Sequence, residues 1–322
     1  MTGLIRSELL RARSRRIVWV LTVASIAGIV VGVTIAMANS RPPTDRQIER
    51  ATAQHARDLE GCIAEGPYGD GELPPGSSSV EEYCEQNVRI EFYLPNDDIK
   101  LADTPEILEG ASFMLALLAI VLGASLAGAD WSTGTMTTVL AWEPRRVRVW
   151  LVRAIVVATV LAIVLVVVQA VFVAAWFVGT TVSGTTETGR GFGGSVTNAL
   201  WVGTVVAVAF GLVAHALASV GRSTIAGVGV IAGYAIIVEG FIAGFVEDLA
   251  PRLLIRAATV VISGNPMLSR GATVAYAPDG SLVGIEVAAV LLSVGGAWVV
   301  VGAYVVALAL LAIALFQRRD VQ

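Results

Sequence analysis

Apolar residues in this chain run in blocks rather than alternating. Charge-free stretches occupy Ile17 to Ala38, Ala111 to Ala129, Ala154 to Thr186 and Val287 to Phe316; two more, Ala199 to Val220 and Thr224 to Val246, hold a single ionisable residue each, His215 and Glu239. A helix needs about 20 such residues to cross a hydrocarbon core of about 30 Å, so the pattern predicts six transmembrane helices. The first sixteen residues are too charged to span, yet Ile5, Leu9, Ala12 and Arg16 share one helical face, with Leu4 beside it. That periodicity predicts an interfacial helix lying on a membrane surface.

Between the first two runs, Asn39 to Glu109 holds 16 acidic residues, 6 basic residues and 7 of the 11 prolines. Ile48, Ala51, His55, Leu59 and Ile63 recur there at helical spacing after a candidate cap at Thr44. Ser79-Val80-Glu81-Glu82 fits a capping box and predicts a second helix. Gly66 to Ser79, rich in Gly, Pro and Ser, then reads as the loop of a helical hairpin. Cys62 and Cys84 are the only two cysteines, one in each arm. In an exported segment an even pair reads as a disulfide, with two free thiols the alternative. His55 has no ligand partners at metal-binding spacing and reads as a solvated side chain; no metal site is expected.

The arginines orient the spans. Arg6, Arg11, Arg13, Arg15 and Arg16 precede the first, Arg145, Arg146, Arg148 and Arg153 lie at the approach to the third, Arg222 sits between the fourth and fifth, and Arg318 and Arg319 follow the sixth. In a six-span layout all twelve fall on one side. By the positive-inside rule that side is cytoplasmic, and with it both termini of a multi-pass protein. The N-terminal basic region, apolar run and Ala36-Met37-Ala38 imitate a cleavable signal peptide. The run exceeds the usual length of about 7–15 residues, which argues for a retained helix. Ala24, Gly28, Gly32 and Ala36 form a small-residue seam on it, as do Gly229/Gly233 and Gly240/Gly244 farther on, suited either to packing within one bundle or to a dimer contact.

Composition narrows the function. The chain of 322 residues is 55% hydrophobic and 15% charged, with a mean hydropathy of +0.74, which argues against a soluble enzyme, a nucleic-acid binder or a disordered chain. Its single lysine, Lys100, follows no glycine, so no phosphate-binding loop of the G-x-x-x-x-G-K-[ST] type exists. If ATP drives this protein, another chain hydrolyses it. No nucleophile with a base, and no paired carboxylates, stand at catalytic spacing. Glu239 lies within the fifth span, where an unpaired carboxylate costs several kcal/mol; it reads as a substrate or proton contact, or as a hydrogen-bonding group inside the bundle. His215 is read as an interface residue, and Glu286 as a carboxylate favourably placed at the start of the sixth span.

The loop after the second span, Ala129-Asp130-Trp131-Ser132-Thr133-Gly134-Thr135-Met136-Thr137-Thr138-Val139-Leu140-Ala141-Trp142-Glu143-Pro144-Arg145-Arg146, predicts a two-turn helix with Met136, Val139 and Leu140 on one side and Pro144 closing it. Trp131, Trp142 and Trp150 are candidate aromatic anchors at a headgroup layer. Together with the amphipathic start Leu4 to Arg11, the order Asp130, Gly134-Thr135, Val139-Leu140, Pro144 with Arg146, then Arg153, and the ending Leu315-Phe316-Gln317-Arg318-Arg319-Asp320, the chain resembles the type-2 permeases of bacterial ATP-binding-cassette (ABC) transporters. Many members have Glu in place of Asp130, and the simplest have a shorter first loop.

The resemblance implies an all-α integral membrane protein of the bacterial plasma (inner) membrane. The residue pattern divides it into a cytoplasmic amphipathic helix (1–16), a first transmembrane helix (17–38) and a small disulfide-stapled extracellular helical hairpin (39–110), larger than the first loop of the simplest members. Five further spans follow in 111–322, with a cytoplasmic coupling loop at 130–149 and an external loop at 247–286. The resemblance also implies an exporter working by alternating access, a second permease copy or paralogue, surrounding membrane lipid, and ABC ATPase subunits that carry the ATP and Mg. This chain itself is expected to hold no cofactor. ATPase coupling falls to Asp130, Gly134, Thr135, Met136, Val139, Leu140, Pro144 and Arg146, with Ile5, Leu9 and Arg11 of the interfacial helix in support. Asp248 to Ile262, followed by Gly264-Asn265-Pro266, matches the short external half-helices of that family. A proton-coupled carrier working through Glu239, or a non-transporting membrane sensor or assembly factor, are the other readings.

Overall fold

Each long apolar run becomes a helix, because a backbone without polar neighbours satisfies its own N–H and C=O groups. The computed structural model describes residues 2–40, 44–65, 79–94, 99–242, 245–268, 274–276, 282–285 and 290–318. The helices are α1 (Thr2–Ser14), α2 (Arg16–Asn39), α3 (Asp45–Glu65), α4 (Val80–Asn87), α5 (Thr104–Ser132), α6 (Thr135–Trp142), α7 (Arg146–Ser183), α8 (Phe192–Gly221), α9 (Thr224–Gly233), α10 (Leu254–Ser263) and α11 (Val294–Arg318). A π-helical stretch, Tyr234–Ile242, extends α9. Among the described residues six helices are long and apolar enough to cross a membrane. The expected helical class is therefore what the chain adopts. The loop expected at Gly66 to Ser79, Gly244 of the third seam, Glu286 and the terminal Arg319-Asp320 lie wholly or largely outside the described residues.

The chain divides into two compact units. The first comprises 1–27, 104–171 and 191–322. Its centre is the close approach of α5 and α8, made possible by glycines: a Cβ on Gly123 would fall on the Gly211 carbonyl, and one on Gly203 would meet the Ser112 hydroxyl. Such seams bring helices near enough for dense van der Waals contact. A tight turn joins α8 to α9, with Arg222 in the left-handed region (φ 52°) and the Ser223 side chain capping α9 by accepting from the Ala226 amide at 3.0 Å.

The sixth run behaves differently from its pattern. Expected as one helix from Val287, it begins as a short strand, β6 (Val290–Leu292), paired antiparallel with β3 (Met267–Leu268). The helix starts at Val294, where the Ser293 hydroxyl accepts from the Gly296 amide at 3.1 Å. An apolar run does not by itself separate strand from helix; the serine cap does. A second antiparallel pair, β4 (Val274–Tyr276) with β5 (Leu282–Ile285), lies between them in sequence.

The second unit comprises 28–103 and 172–190. Cys62 on α3 and Cys84 on α4 are joined by a disulfide with Cα atoms 5.9 Å apart. Thr44 starts α3 as the periodicity expects, with the Gln47 side chain folding back to accept from its amide (2.9 Å) and hydroxyl (2.8 Å). The His55 ring stacks edge-on against Tyr93 and lies 2.9 Å from the Val88 carbonyl. A hydrogen bond to Asp58 raises the pKa of the Tyr93 hydroxyl above its usual 10.0. A two-residue parallel pair, β1 (Ile99–Lys100) with β2 (Gly184–Thr185), is braced by Ser40, whose hydroxyl accepts from the Ile99 amide (3.2 Å) and donates to the Ser183 carbonyl.

Candidate functional site

Asp130 ends α5 almost fully enclosed, at 2% exposure, and an enclosed carboxylate needs partners. Three arginines supply them. Arg153, on the second turn of α7, reaches it at 2.9 Å; Arg15 donates to its Oδ1; Arg11 stands at 3.9 Å. Glu8 bonds Arg11 at 3.3 Å and Arg153 at 3.4 Å. Glu8, Arg11, Ala12 and Arg15 stand at i, i+3, i+4 and i+7, so one polar face of α1 is turned inward and buries Glu8 and Ala12. Leu9 is exposed, while Ile5 is half-buried. Three arginines against two carboxylates leave this cluster one positive charge in excess, counted over Arg11, Arg15, Arg153, Glu8 and Asp130.

A cavity of about 20 Å³ lies among these side chains, with His215 of α8 on its wall. His215 is 3% exposed, and neither ring nitrogen makes a hydrogen bond of good geometry, although the Gly123 carbonyl lies close. Its ring tilts against Trp150 with centroids 5.8 Å apart.

The same end of α5 sets the next helix. The Thr135 hydroxyl donates to the Asp130 carbonyl at 3.2 Å, and Gly134 takes the left-handed turn (φ 68°) that lets α6 begin at once. Met136 faces inward, accepts from Arg153 at 3.3 Å, and packs with Trp150, Ala216, Ala312 and Phe316; Trp131 and Leu140 close over them. Val139 is half-buried, and Pro144 follows the helix end, where the Glu143 amide bonds the Val139 carbonyl at 2.9 Å. The outer face of α6 is Thr137, Thr138, Ala141 and Trp142, the tryptophan 87% exposed.

Two further arginines tie distant segments to this end of the unit. Arg146 donates to the last carbonyls of α11, Phe316 (3.3 Å) and Gln317 (3.2 Å), where a cation complements the helix dipole. Arg222 lies over the Trp131 ring at 4.8 Å. Three arginine-bearing segments, widely separated in sequence, therefore meet around Asp130 and α6: Arg11 and Arg15 at α1, Arg146 and Arg153 on α7, and Arg222 in the turn before α9.

Glu239 stands apart from this cluster. From the π-helical stretch its carboxylate accepts from the amides of Ile255 and, at 3.3 Å, Arg256, so it caps the first turn of α10. Alongside, the Tyr234 hydroxyl accepts from the Leu254 amide (3.0 Å) and meets the Tyr304 hydroxyl (3.2 Å), which donates to the Arg252 carbonyl (3.2 Å). Among the described residues no cluster of three or more His, Cys, Asp or Glu is gathered as for a metal ion.

The sequence pattern singled out Asp130, Met136 and Arg146 but missed Glu8, Arg15 and His215 as members of one site. Their signal was present: Glu8 is the only acid among the first sixteen residues, at helical spacing from two arginines. Compared with protein-family models, curated proteins and solved structures, the chain matches none.

Proposed function

We propose that this chain is the membrane-spanning permease subunit of an ABC exporter, driven by ATP and Mg bound on separate ATPase subunits. The observation that carries the reading is α6: a two-turn helix whose inner face is fixed by Met136 and Leu140 and whose outer face, led by Trp142, is bare. Asp130 links the root of that helix to α1 and α7 through buried ion pairs, so a push on α6 is delivered to two other helices. The gathering of arginines at this end favours the cytoplasmic side, with both termini there, in a plasma membrane. A second permease copy or a relative completes the pathway.

In this reading Trp142, Thr138 and Ala141 contact the ATPase, whereas Met136, Leu140, Pro144 and Arg146 hold the helix in place. Glu239, engaged with two backbone amides, is assigned to holding α10 rather than to moving cargo or protons. Tryptophans at the centre of interfaces carry about 2 kcal/mol or more of binding energy. The test is gentle purification from the native membrane with its companions, followed by vanadate-sensitive ATP hydrolysis. A stoichiometric ATPase that is retained by the unmodified chain and lost from Trp142→Ala, with the melting temperature unchanged, is expected. Reproducible isolation without any ATPase, or equal retention by Trp142→Ala and Trp142→Asp, overturns the proposal.

A further inference from the structure

Helices α8, α9, α10 and α11 of the first unit line a cavity of about 160 Å³ that is partly open to the surface. Its walls are side chains of Phe210, Val213, Ile231, Leu254 and Leu308, with Tyr234 and Tyr304 at one edge. The two tyrosine hydroxyls are occupied by each other, by the Leu254 amide and by the Arg252 carbonyl. Apart from these hydroxyls the described lining side chains are apolar, and apolar cavities of about 150 Å³ accept hydrocarbon. Val230, 53% exposed, stands at the rim, and the surface around it carries Ile236, Ile237 and Phe241, all exposed. Hydrocarbon is the medium that solvates such a surface on a spanning helix.

We infer that this cavity is a binding site for one acyl chain of a bilayer phospholipid, entered past Val230. The inference rests on the membrane part of the permease reading. Tyr234, where the π-helical stretch begins, and Leu254 and Ile255, in the first turn of the α10 that Glu239 caps, all line the space. The occupant follows from the chemistry of the wall: a flexible, unbranched, apolar segment, reached from the apolar surface.

The experiment uses the full chain in vesicles of phosphatidylcholine and phosphatidylglycerol containing a minor fraction of phospholipid with a diazirine at the chain terminus. After irradiation, adducts are mapped by mass spectrometry. Adducts are expected on Val213, Ile231 and Leu308, besides those on the exposed Val306 and Leu310. Val213→Phe should lower the inner adducts several-fold and leave the outer ones unchanged. If Val213→Phe loses the outer adducts too, the rim variant Val230→Phe takes its place with the same expected result. Outer adducts without inner ones, or inner labelling unchanged in both variants, would overturn the acyl-chain site while leaving the permease reading intact. Absence of adducts everywhere removes the membrane reading and the site together.

Discussion

Asp130 is held by more positive charge than one carboxylate balances, so its loss is felt by several neighbours at once. Removing one partner of a buried ion pair costs about 3–5 kcal/mol, because the other charge remains enclosed. Asp130→Asn is expected to lower the thermal midpoint of the detergent-solubilised protein sharply. Asp130→Glu, which keeps the charge, should recover most of it, since the adjoining space of about 20 Å³ takes a methylene. A double-mutant cycle of Asp130→Asn with Arg153→Gln should show a coupling of about 1–3 kcal/mol; additive losses would mean that the pair is incidental. Asp130 was visible in the sequence through the resemblance of its loop to the permease family, in which an acidic residue precedes the Gly-Thr pair. Sequence alone left Glu8 unassigned and marked His215 only as an interface residue, because pairing such as that of Glu8 with Arg153 across 145 residues is decided by how helices pack and not by local spacing.

At the scale of elements, hydrophobic periodicity located the six long helices but not their ends. α7 begins at Arg146 rather than at Ala154, where the charge-free run starts, and α5 begins at Thr104 inside a stretch that reads as polar. Charged residues do not stop a helix; they only mark where it leaves an apolar environment. The strand pairs between Met267 and Leu292 escaped the pattern because apolar β-branched residues suit both states. Helix packing yields a sharp contrast between glycines. Gly123→Ala drives a methyl into the Gly211 carbonyl and should destabilise by about 1–3 kcal/mol, whereas Gly28→Ala meets nothing within 4 Å and should be neutral or slightly stabilising in the monomer. Chemical denaturation of each variant checks this. The cap on α10 makes a separate prediction: Glu239→Gln should speed hydrogen exchange at the Ile255 and Arg256 amides, while amides at the centre of α8 keep their protection.

Across the whole molecule, the two units are stabilised by different means. The first relies on buried apolar surface and glycine-mediated contact. The second has a small core, in which Ala51 and Cys84 are among the few enclosed residues, and adds a covalent link. A disulfide closing a loop of this size contributes roughly 3 kcal/mol in the chain-entropy model. Reduction should therefore expose α3 and α4 to protease while cleavage within α5 and α8 stays unchanged. Early cleavage of α5 and α8 would show that the link stabilises the entire chain.

The ion-pair cluster also imposes an order on biogenesis. Arg15 is synthesised 115 residues before the carboxylate it contacts, whereas Arg153 emerges from the ribosome only afterwards. When Asp130 is made, Arg15, the residue after α1, is therefore a partner already present in the chain. The Arg15–Asp130 contact can thus form before α7 is made, whereas the Arg153–Asp130 contact must wait for it.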